Sequence, residues 1–430
     1  MHTAGPGLPS IGHCRSRVAH AFWRWGVALL LFVAFVVAFA CVRPRTPPPP
    51  AQMESPDEAG FKSTGFERVV RVLADGVRSK AFPGGVVVVG REGKLILERP
   101  FGHLSYERGS PSVTNETLYD LASLTKIVVT TTLAMIFYER DKLVLEKPVQ
   151  DYIPEFQGKD KHLVTVADLL AHTSGILWWN DFYRQHSGLT PDEAKERVIT
   201  DICEMPLDYA PRTKSVYSDL GILLLGEILE RTSGRSIEEL AEEEIFEPLG
   251  MDDTMFNPDA SMLDRIAPTE DDPWRGRVVH GEVHDENAFV LGGLAPHAGL
   301  FATASDLARF AQMMLTGGVH GSHRIVRRST IECFTARAEL VPDSSRALGW
   351  DTPSTVSSAG RYFSASSYGH TGFTGTSIWI DPQHEVFVIL LTNRVHPTRE
   401  NRQIRDVRPA LHDAVMEAID DETVTPRPQD

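Results

Sequence analysis

The sequence predicts an α/β (α+β) fold in which an antiparallel sheet is flanked by helices and interrupted by an inserted all-helical subdomain. Strand patterns lie near both ends of the 430-residue chain, whereas helical patterns dominate from about Ser123 to Gly250. No segment repeats, which excludes solenoids and propellers. A sheet assembled from distant segments around a helical insertion has two lobes, and the cleft between lobes is a common place for a site.

The first part of the predicted sheet is a hairpin that follows a helix. Glu67 to Ser79 has the apolar spacing of an amphipathic helix. Val86 to Val89 and Leu95 to Leu97 have the composition of short strands, and Arg91-Glu92-Gly93 is typical of the turn that joins a hairpin.

The middle of the chain is predicted to be mainly helical. Thr130 to Arg140, Val164 to Ala171 and Leu220 to Glu230 carry apolar residues at helical spacing. Ser236-Ile237-Glu238-Glu239 has the pattern of a capping box, which indicates a helix start.

Strand patterns return near the C-terminus. Thr376 to Ile380 and Val386 to Leu391 are apolar or alternating, and the segment from Asp381 to His384 between them is typical of a turn. A last helix is predicted to start near Pro409. The sheet therefore closes with strands far in sequence from the first hairpin.

Residues 1–57 are predicted to be a signal or anchor segment followed by a proline-rich linker. Arg15, Arg17 and Arg24 precede an apolar run from Trp25 to Val42. This order is that of an export signal, and the run is close to the lower length limit for a membrane span.

The end of the apolar run leaves three alternatives open. Residues 38–41, Ala-Phe-Ala-Cys, are similar to the lipobox of bacterial lipoproteins. The alternatives are lipidation of Cys41 after cleavage, an uncleaved signal anchor, and simple secretion. All three place the folded domain outside the cytoplasm, and the first two anchor it in the cell envelope on the extracytoplasmic (periplasmic) side.

Composition excludes one class of partner. The formal net charge is −15, and no basic run follows the N-terminal segment, which argues against nucleic acid because phosphate backbones need clustered Lys and Arg. Beyond the leader only Cys203 and Cys333 remain, and either a disulfide or two separate thiols is open.

Three short motifs carry the chemistry. Ser123 and Lys126 are three positions apart, so on a helix they project from one face, and an amine beside a serine hydroxyl can take or relay its proton. A Ser-x-x-Lys pattern alone is weak, because about one is expected by chance in such a chain. Two further triplets, Tyr217-Ser218-Asp219 and His370-Thr371-Gly372, strengthen it, because they follow in the order and spacing of a known signature.

These motifs resemble the signature of the serine β-lactamase and penicillin-binding protein superfamily, in particular its class C β-lactamase-like branch, which includes D-Ala-D-Ala peptidases and esterases. The resemblance runs from about Phe61 to Ile419 and includes 169–175 and 299–308. It implies a β-lactamase/transpeptidase-like domain over 58–425, with a sheet lobe formed by 58–115 and 300–425 and a helical lobe formed by 116–299.

The resemblance also implies residue roles. Ser123 would attack the substrate carbonyl and form an acyl-enzyme, and Lys126 would ease its deprotonation. Tyr217 would act as general base, with its phenol pKa depressed by the neighbouring ammonium. Backbone amides of Ser123 and Phe373 would form the oxyanion hole, and Gly372 would let the strand backbone approach the substrate.

Two departures from the family pattern affect the expected substrate. Asp219 stands where asparagine is common, so it cannot donate an amide hydrogen bond to a peptide-like acyl chain. His370 stands where β-lactamases usually have lysine, and histidine is largely neutral at pH 7. Both departures favour peptidase or esterase activity over β-lactam hydrolysis. Arg394, after Asn393, either contacts a substrate carboxylate or is a solvated strand-end residue.

Histidines outside the motifs allow other interpretations. His280 and His284 are spaced like metal ligands on a helix, but Gly281 and the residues before it favour strand or loop. A metal site, a site-lining role and structural hydrogen bonding all stay open for them. His172 is expected to support its turn rather than to catalyse.

The leading hypothesis is an exported, membrane-associated serine hydrolase that forms an acyl-enzyme with D-Ala-D-Ala peptides, β-lactams or small esters. It needs no cofactor and no metal. A second hypothesis, favoured by Asp219, is a catalytically weak or inactive recognition module for cell-wall peptides or a protein partner. A metal hydrolase built on His280 and His284 is the third.

Overall fold

The computed structural model describes residues 56–62 and 64–428. The predicted leader, Cys41 and most of the proline-rich linker lie outside the described residues. The domain boundaries drawn from the sequence stay predictions.

Twelve strands are described in this part of the chain. They are β1 Gly84–Arg91, β2 Lys94–Gly102, β3 Tyr119–Asp120, β4 Met255–Phe256, β5 Asp271–Asp272, β6 Arg277–Val278, β7 Leu300–Ala302, β8 Val319–His320, β9 His323–Arg324, β10 Tyr368–Thr371, β11 Ser377–Asp381 and β12 Val386–Thr392.

The α-helices of the described residues are α1 Gly65–Arg78, α2 Thr132–Glu139, α3 Val166–Leu170, α4 Phe182–Gln185, α5 Pro191–Glu204, α6 Asp219–Ser233, α7 Ile237–Ala241, α8 Glu247–Leu249, α9 Glu286–Val290, α10 Ala304–Leu315, α11 Arg328–Thr335 and α12 Ile404–Ala418. Short 3₁₀ and π-helical turns connect them, including a π-helical turn at Lys126–Thr131.

The main sheet joins the two ends of the domain. Its five strands run in the order β10-β11-β12-β1-β2, and every neighbouring pair is antiparallel. Val87 on β1 lies opposite Leu390 on β12, about 300 residues later in the chain. The prediction of an antiparallel sheet made from distant segments is confirmed.

The sheet is covered by helices on both faces, as its apolar strands require. Val86, Val88 and Ile389 point into the core shared with α10 and the helical lobe. Val87, Val89 and Val388 point the other way, into a second core under α1 and α12. This alternation follows from the period of two in a strand.

A small three-stranded sheet, in the order β3-β7-β4, fixes the start of the helical lobe. Asp120 on β3 pairs with Phe301 on β7, and the Leu121 N–H donates to the Leu300 carbonyl at 2.9 Å. The turn that carries Ser123 therefore starts from a fixed backbone.

Two predicted element starts are wrong. The nucleophile segment is not helical from its serine: Ser123 lies in a turn, and Lys126 opens the π-helical turn that continues into α2. The last helix starts at Ile404 rather than near Pro409, which lies inside it. Pro409 has no N–H to donate within the helix, and the burial of Leu411 and Val415 farther along offsets the loss of that hydrogen bond.

Within residues 56–62 and 64–428, none of the helices combines the length and apolar character needed to cross a bilayer. Cys203 is a buried free thiol and Cys333 an exposed one, so the alternative of two separate thiols is the one observed.

Candidate active site

The nucleophile lies at the end of a tight, strained turn. Ala122 has a φ of 46°, a left-handed conformation that L-residues seldom adopt, and its N–H donates to the Asp120 carboxylate at 2.8 Å. The next residue, Ser123, is half-buried, and its Oγ lies 2.9 Å from the Lys126 Nζ. The turn thus places the hydroxyl and the amine in direct contact.

Lys126 is held as an ammonium. Its side chain is buried, its Nζ donates to the His297 carbonyl at 2.8 Å, and the same nitrogen lies 2.8 Å from Asp219 Oδ1. Burial lowers the Lys126 pKa, but the Asp219 carboxylate and the Tyr217 hydroxyl raise it by more, so the net shift is upward. At neutral pH this amine therefore carries its proton.

Tyr217 completes the group around the nucleophile. It precedes α6, whose N-cap Ser218 accepts from the Gly221 N–H at 3.1 Å. The Lys126 Nζ lies 5.1 Å from the centre of the Tyr217 ring, and the phenol faces both Lys126 and Ser123.

The expected depression of the Tyr217 pKa is not found. Burial raises the pKa of the phenol, and the Lys126 ammonium offsets only part of that increase. Asp219 adds to the rise, because a carboxylate disfavours a second negative charge nearby. The expectation failed because sequence spacing shows neither the burial of the ring nor the Asp219 ion pair.

Two neutral histidines flank the Tyr217 ring. His172 Nδ1 accepts from the Ser218 N–H at 3.1 Å, and its ring centre lies 4.6 Å from that of Tyr217. Burial, followed by the charges of Arg346 and Lys126, holds the His172 pKa well below its usual range. His172 thus supports the turn before α6.

His370 lies on β10, with its ring centre 5.9 Å from that of Tyr217. Its Nδ1 is 3.0 Å from the Thr371 carbonyl, so Nδ1 carries the proton, and Nε2 is buried without a hydrogen-bond partner among the described residues. Burial and the charge of Arg346 hold the His370 pKa well below its usual range. His370 is therefore neutral, as predicted from histidine chemistry, and offers a lone pair.

The end of β10 is joined to the nucleophile turn. Thr374 Oγ1 donates to the Asp120 carbonyl at 2.7 Å, and Thr376 Oγ1 donates to the Leu121 carbonyl at 3.0 Å. A Cβ at Gly372 would clash with Thr376 and Leu121. Gly372 therefore permits close contact between the strand and the nucleophile turn, and the approach of the strand backbone to a substrate stays a prediction.

The geometry leaves two N–H groups available for an oxyanion. Neither the Ser123 N–H nor the Phe373 N–H donates to an acceptor in the part of the chain that the structure describes. Because unpaired backbone donors are uncommon in folded chains, this pair is a candidate oxyanion hole.

Arg394 holds the residue that supplies the second of these donors. Its Nε donates to the Phe373 carbonyl at 2.7 Å, its guanidinium carbon lies 4.4 Å from the centre of the Phe373 ring, and its Nη1 donates to the carbonyls of Arg399 and Asn401. Burial and nearby arginines lower the Arg394 pKa to about 10. Asn393 Nδ2 likewise donates to backbone carbonyls. Because Arg394 is buried, the interpretation as a solvated strand-end residue is wrong, whereas contact with a substrate carboxylate stays a prediction.

A cavity of about 440 Å³ opens beside Ser123. Six arginines and two acidic residues are among its lining residues: Arg346, Arg394, Arg399, Arg402, Arg405, Arg408, Asp351 and Glu400. The cavity is therefore cationic in a chain whose net charge is −15. Sequence reasoning missed it, although a signal was present: five of the six arginines lie within 394–408, four of them at every third position from Arg399 to Arg408.

The remaining histidines have structural partners. His280 Nε2 lies 2.9 Å from the Ile266 carbonyl, and His284 Nε2 lies 2.8 Å from Glu270 Oε2. The His284 ring also stacks on Phe373 with the ring centres 5.6 Å apart, so His284 supports a residue that lines the cavity. Among the described residues no group of three or more His, Cys, Asp or Glu is arranged to hold a metal ion.

Comparison with known proteins agrees with this geometry. Residues 69–411 match the family model described as Beta-lactamase. The chain is 32% identical over 372 residues to an N-acetylmuramyl-L-alanine amidase of Bacillus subtilis, with 79% of this chain and 83% of that protein covered. It is 31% identical over 372 residues to an Escherichia coli protein named "Putative D-alanyl-D-alanine carboxypeptidase", with 80% and 85% covered.

The fold is also shared with solved structures. A penicillin-binding protein homologue from Caulobacter crescentus superposes with a TM-score of 0.65 at 22% identity, covering 84% of this chain and 99% of that chain. The resemblance predicted from the three motifs is thereby confirmed, and the chain is a serine hydrolase that belongs to the β-lactamase family.

Proposed function

We propose that this protein hydrolyses amide bonds of peptidoglycan-derived peptides through an acyl-enzyme on Ser123, with a leaving group that carries a carboxylate. The main observation behind this proposal is the distance of 2.9 Å between Ser123 Oγ and Lys126 Nζ, at the edge of a cationic cavity. Two relatives are named as an amidase and a carboxypeptidase, and both of these activities cleave amide bonds.

Acylation is assigned to Ser123, Tyr217 and Lys126 together. The Ser123 oxygen bonds to the substrate carbonyl carbon while its proton passes to Tyr217 in the phenolate form, because Lys126 is already protonated. Since the Tyr217 pKa is raised, this phenolate is a minor form at neutral pH, and acylation is expected to speed up as the pH rises. Lys126 stabilises that phenolate. The N–H groups of Ser123 and Phe373 bind the oxyanion, at roughly 3 kcal/mol per donor.

The amide bond then breaks, and Tyr217 returns the proton to the leaving nitrogen. In the second half a water adds to the acyl carbon and gives a proton to the same phenolate. Tyr217 then passes that proton to the Ser123 oxygen as the ester bond breaks, which releases the free acid and regenerates the serine hydroxyl. Over the whole cycle the enzyme consumes one water molecule for each amide bond that it cleaves.

Arg346 is assigned to the leaving-group carboxylate. Its guanidinium carbon lies 5.3 Å from the centre of the Tyr217 ring, and it has no acidic partner among the described residues. Because Tyr217 must reach the leaving nitrogen, a cation beside Tyr217 lies on the leaving-group side. A neutral His370 adds a hydrogen-bonding position there without a second charge.

Active-site labelling tests the acyl-enzyme. A fluorescent penicillin and a fluorophosphonate are each incubated with the wild type and with Ser123→Ala, with peptide mapping of the label. We expect label on Ser123 in the wild type and none in the variant. Absence of label on the wild type with both probes, together with no hydrolysis, would remove the proposal.

A panel of substrates then shows which class of acyl compound the enzyme prefers. It holds an N-acetylmuramyl-L-alanine amide, a D-Ala-D-Ala peptide, a cephalosporin and a short-chain ester. We expect the amides with a leaving-group carboxylate to be hydrolysed with the highest kcat/KM. A clear preference for the cephalosporin would contradict the assignment made from Asp219 and His370.

The cellular location is a separate proposal, motivated by the basic and apolar N-terminal residues and Cys41. We expect the full chain to be exported and to fractionate with membranes. Labelling cells with an alkyne fatty acid, in the wild type and in Cys41→Ala, distinguishes a lipoprotein from a signal anchor. Recovery of the full chain in the cytoplasm would contradict export.

A further inference from the structure

The cavity beside Ser123 contains a second cationic position, away from Arg346. Arg402 and Arg405 are exposed at the start of α12, and neither has an ion pair or side-chain hydrogen bond with any described residue. Both line the cavity that contains Ser123. Exposure alone explains why these arginines need no partner, but their place on the wall of the nucleophile's cavity puts two unpaired charges where a substrate anion can meet them.

Arg408, one turn farther along α12, is a buried cation without an acid. It is 7% exposed, and its Nη2 donates to the carbonyls of Gly372 at 2.9 Å and Thr376 at 2.6 Å. Its Nε is buried and has no hydrogen-bond partner among the residues described. Burial and the charges of Arg394 and Arg405 lower the Arg408 pKa to about 9. An unpaired buried charge is costly, and a bound anion would offset that cost.

The other lining residues do not neutralise this position. Arg399 is already paired with Glu270 at 2.5 Å and Glu286 at 2.6 Å. Glu400 is exposed and lies beyond ion-pair distance of Arg402 and Arg405. The start of α12 therefore keeps a local positive charge.

We infer that Arg402, Arg405 and Arg408 form an anion subsite for a second carboxylate of the leaving group. This rests on the proposed function and narrows its substrate class. Arg346 takes one carboxylate beside Tyr217, and the three arginines of α12 and its approach take the other. The leaving group is then an acidic amino acid or a short acidic peptide, not a lone neutral residue.

The test compares amides that share one acyl group and differ in leaving group: alanine amide, alanine, and alanyl-glutamate. These carry no, one and two carboxylates. We expect the wild type to prefer the dicarboxylate over the monocarboxylate by about tenfold or more in kcat/KM, since each charge-assisted hydrogen bond has about that effect.

Removing the two exposed arginines should remove this preference. For each variant we compare kcat/KM for the substrate with two carboxylates with kcat/KM for the substrate with one. In the double variant Arg402→Ala/Arg405→Ala we expect this ratio to fall about tenfold. In Arg402→Lys/Arg405→Lys we expect the ratio to recover in part, because lysine keeps the charge but not the planar fork. Arg71→Ala/Arg324→Ala, which removes the same charge from exposed positions outside the cavity, should keep the wild-type ratio. Melting temperatures of all variants show whether each is folded.

A binding measurement keeps this inference separate from the proposed function. Calorimetric titration of Ser123→Ala with alanyl-glutamate and with alanine, at two salt concentrations, reports the subsite without any turnover. Tighter, salt-sensitive binding of alanyl-glutamate that the arginine variant loses supports the subsite. Equal binding of both ligands, or an unchanged ratio in the arginine variant, overturns it even if Ser123 acylates.

Discussion

The Lys126 ammonium lies 2.8 Å from Asp219 Oδ1, in direct contact with the nucleophile that it serves. An asparagine at position 219 could still accept a hydrogen bond from this lysine, but it would carry no charge to pair with the ammonium. The carboxylate raises the pKa of Lys126, and it adds to the rise in the Tyr217 pKa that burial causes. A single carboxyl group therefore acts on the protonation of both neighbours of the nucleophile.

Asp219→Asn should move the activity to lower pH. Removing the carboxylate lowers the pKa of both Tyr217 and Lys126, so the phenolate forms at lower pH, and the acid limb of kcat/KM against pH shifts down by about one unit or more. The position of this acid limb is measured from kcat/KM for a small ester over a range of pH values, in the wild type and in the variant. A limb that stays in place or moves up would contradict the assigned base.

The same variant has a distinct stability signature. A lysine whose folded pKa is raised contributes stability at every pH below the usual lysine range and loses it only as pH rises through the folded pKa. The stability difference between wild type and Asp219→Asn should thus be flat from about pH 5 to 9 in urea denaturation. A steep slope in this window would point to another group.

Gly372→Ala should be far more damaging than Phe373→Ala. A Cβ at Gly372 meets Thr376 and the Leu121 carbonyl, so the strand must move away from the nucleophile turn. We expect kcat/KM to fall about a hundredfold or more. Phe373→Ala keeps the backbone N–H and should cost about tenfold or less. Steady-state kinetics and melting curves compare them, and equal losses would contradict the role given to Gly372.

Arg394→Ala should lower kcat with little change in KM. Its Nε bond to the Phe373 carbonyl and its stacking on the Phe373 ring hold one oxyanion donor in place, and that donor acts mainly in the transition state. The expected fall is about tenfold to a hundredfold. Arg71→Ala is the charge-matched control, because Arg71 is exposed on α1. A rise in KM alone would instead indicate substrate contact.

His412→Asn should reduce the fall in the free energy of unfolding that the wild type shows as the pH drops. Burial lowers the folded pKa of His412 to about 4, so between about pH 6.5 and 4 the unfolded state binds the extra proton and stability falls as pH falls. An asparagine N–H can keep the bond to the Ser358 carbonyl, where His412 Nδ1 lies at 2.6 Å. The variant should lose about 3 kcal/mol less than wild type over that range. His162→Asn, at an exposed position, should keep the wild-type slope.

The sequence allowed the sheet and the members of the catalytic group to be predicted. Hydrophobic period alone located β1, β11 and β12, because these strands are buried on both faces and carry continuous apolar runs. Ser123, Lys126 and Tyr217 were identifiable because acyl transfer needs those groups in a fixed order of motifs.

The electrostatics of the site could not be predicted in this way. The Tyr217 pKa depends on burial and on Asp219, and the roles of Arg346 and Arg394 depend on where distant loops pack. For Gly372 the motif indicated close approach of the backbone, but only coordinates show that Leu121 lies against it. Long-range packing, not local pattern, decides these points.

The bonds that hold the nucleophile turn also set when the serine becomes reactive. Thr374 and Thr376 reach Asp120 and Leu121 from more than 250 positions later, and the carbonyl that receives Lys126 comes 171 positions later. A chain still emerging from the ribosome has the nucleophile before it has any of these partners. Its hydroxyl is then an ordinary alcohol, so hydrolysis has to wait until the C-terminal half of the domain has folded onto the turn.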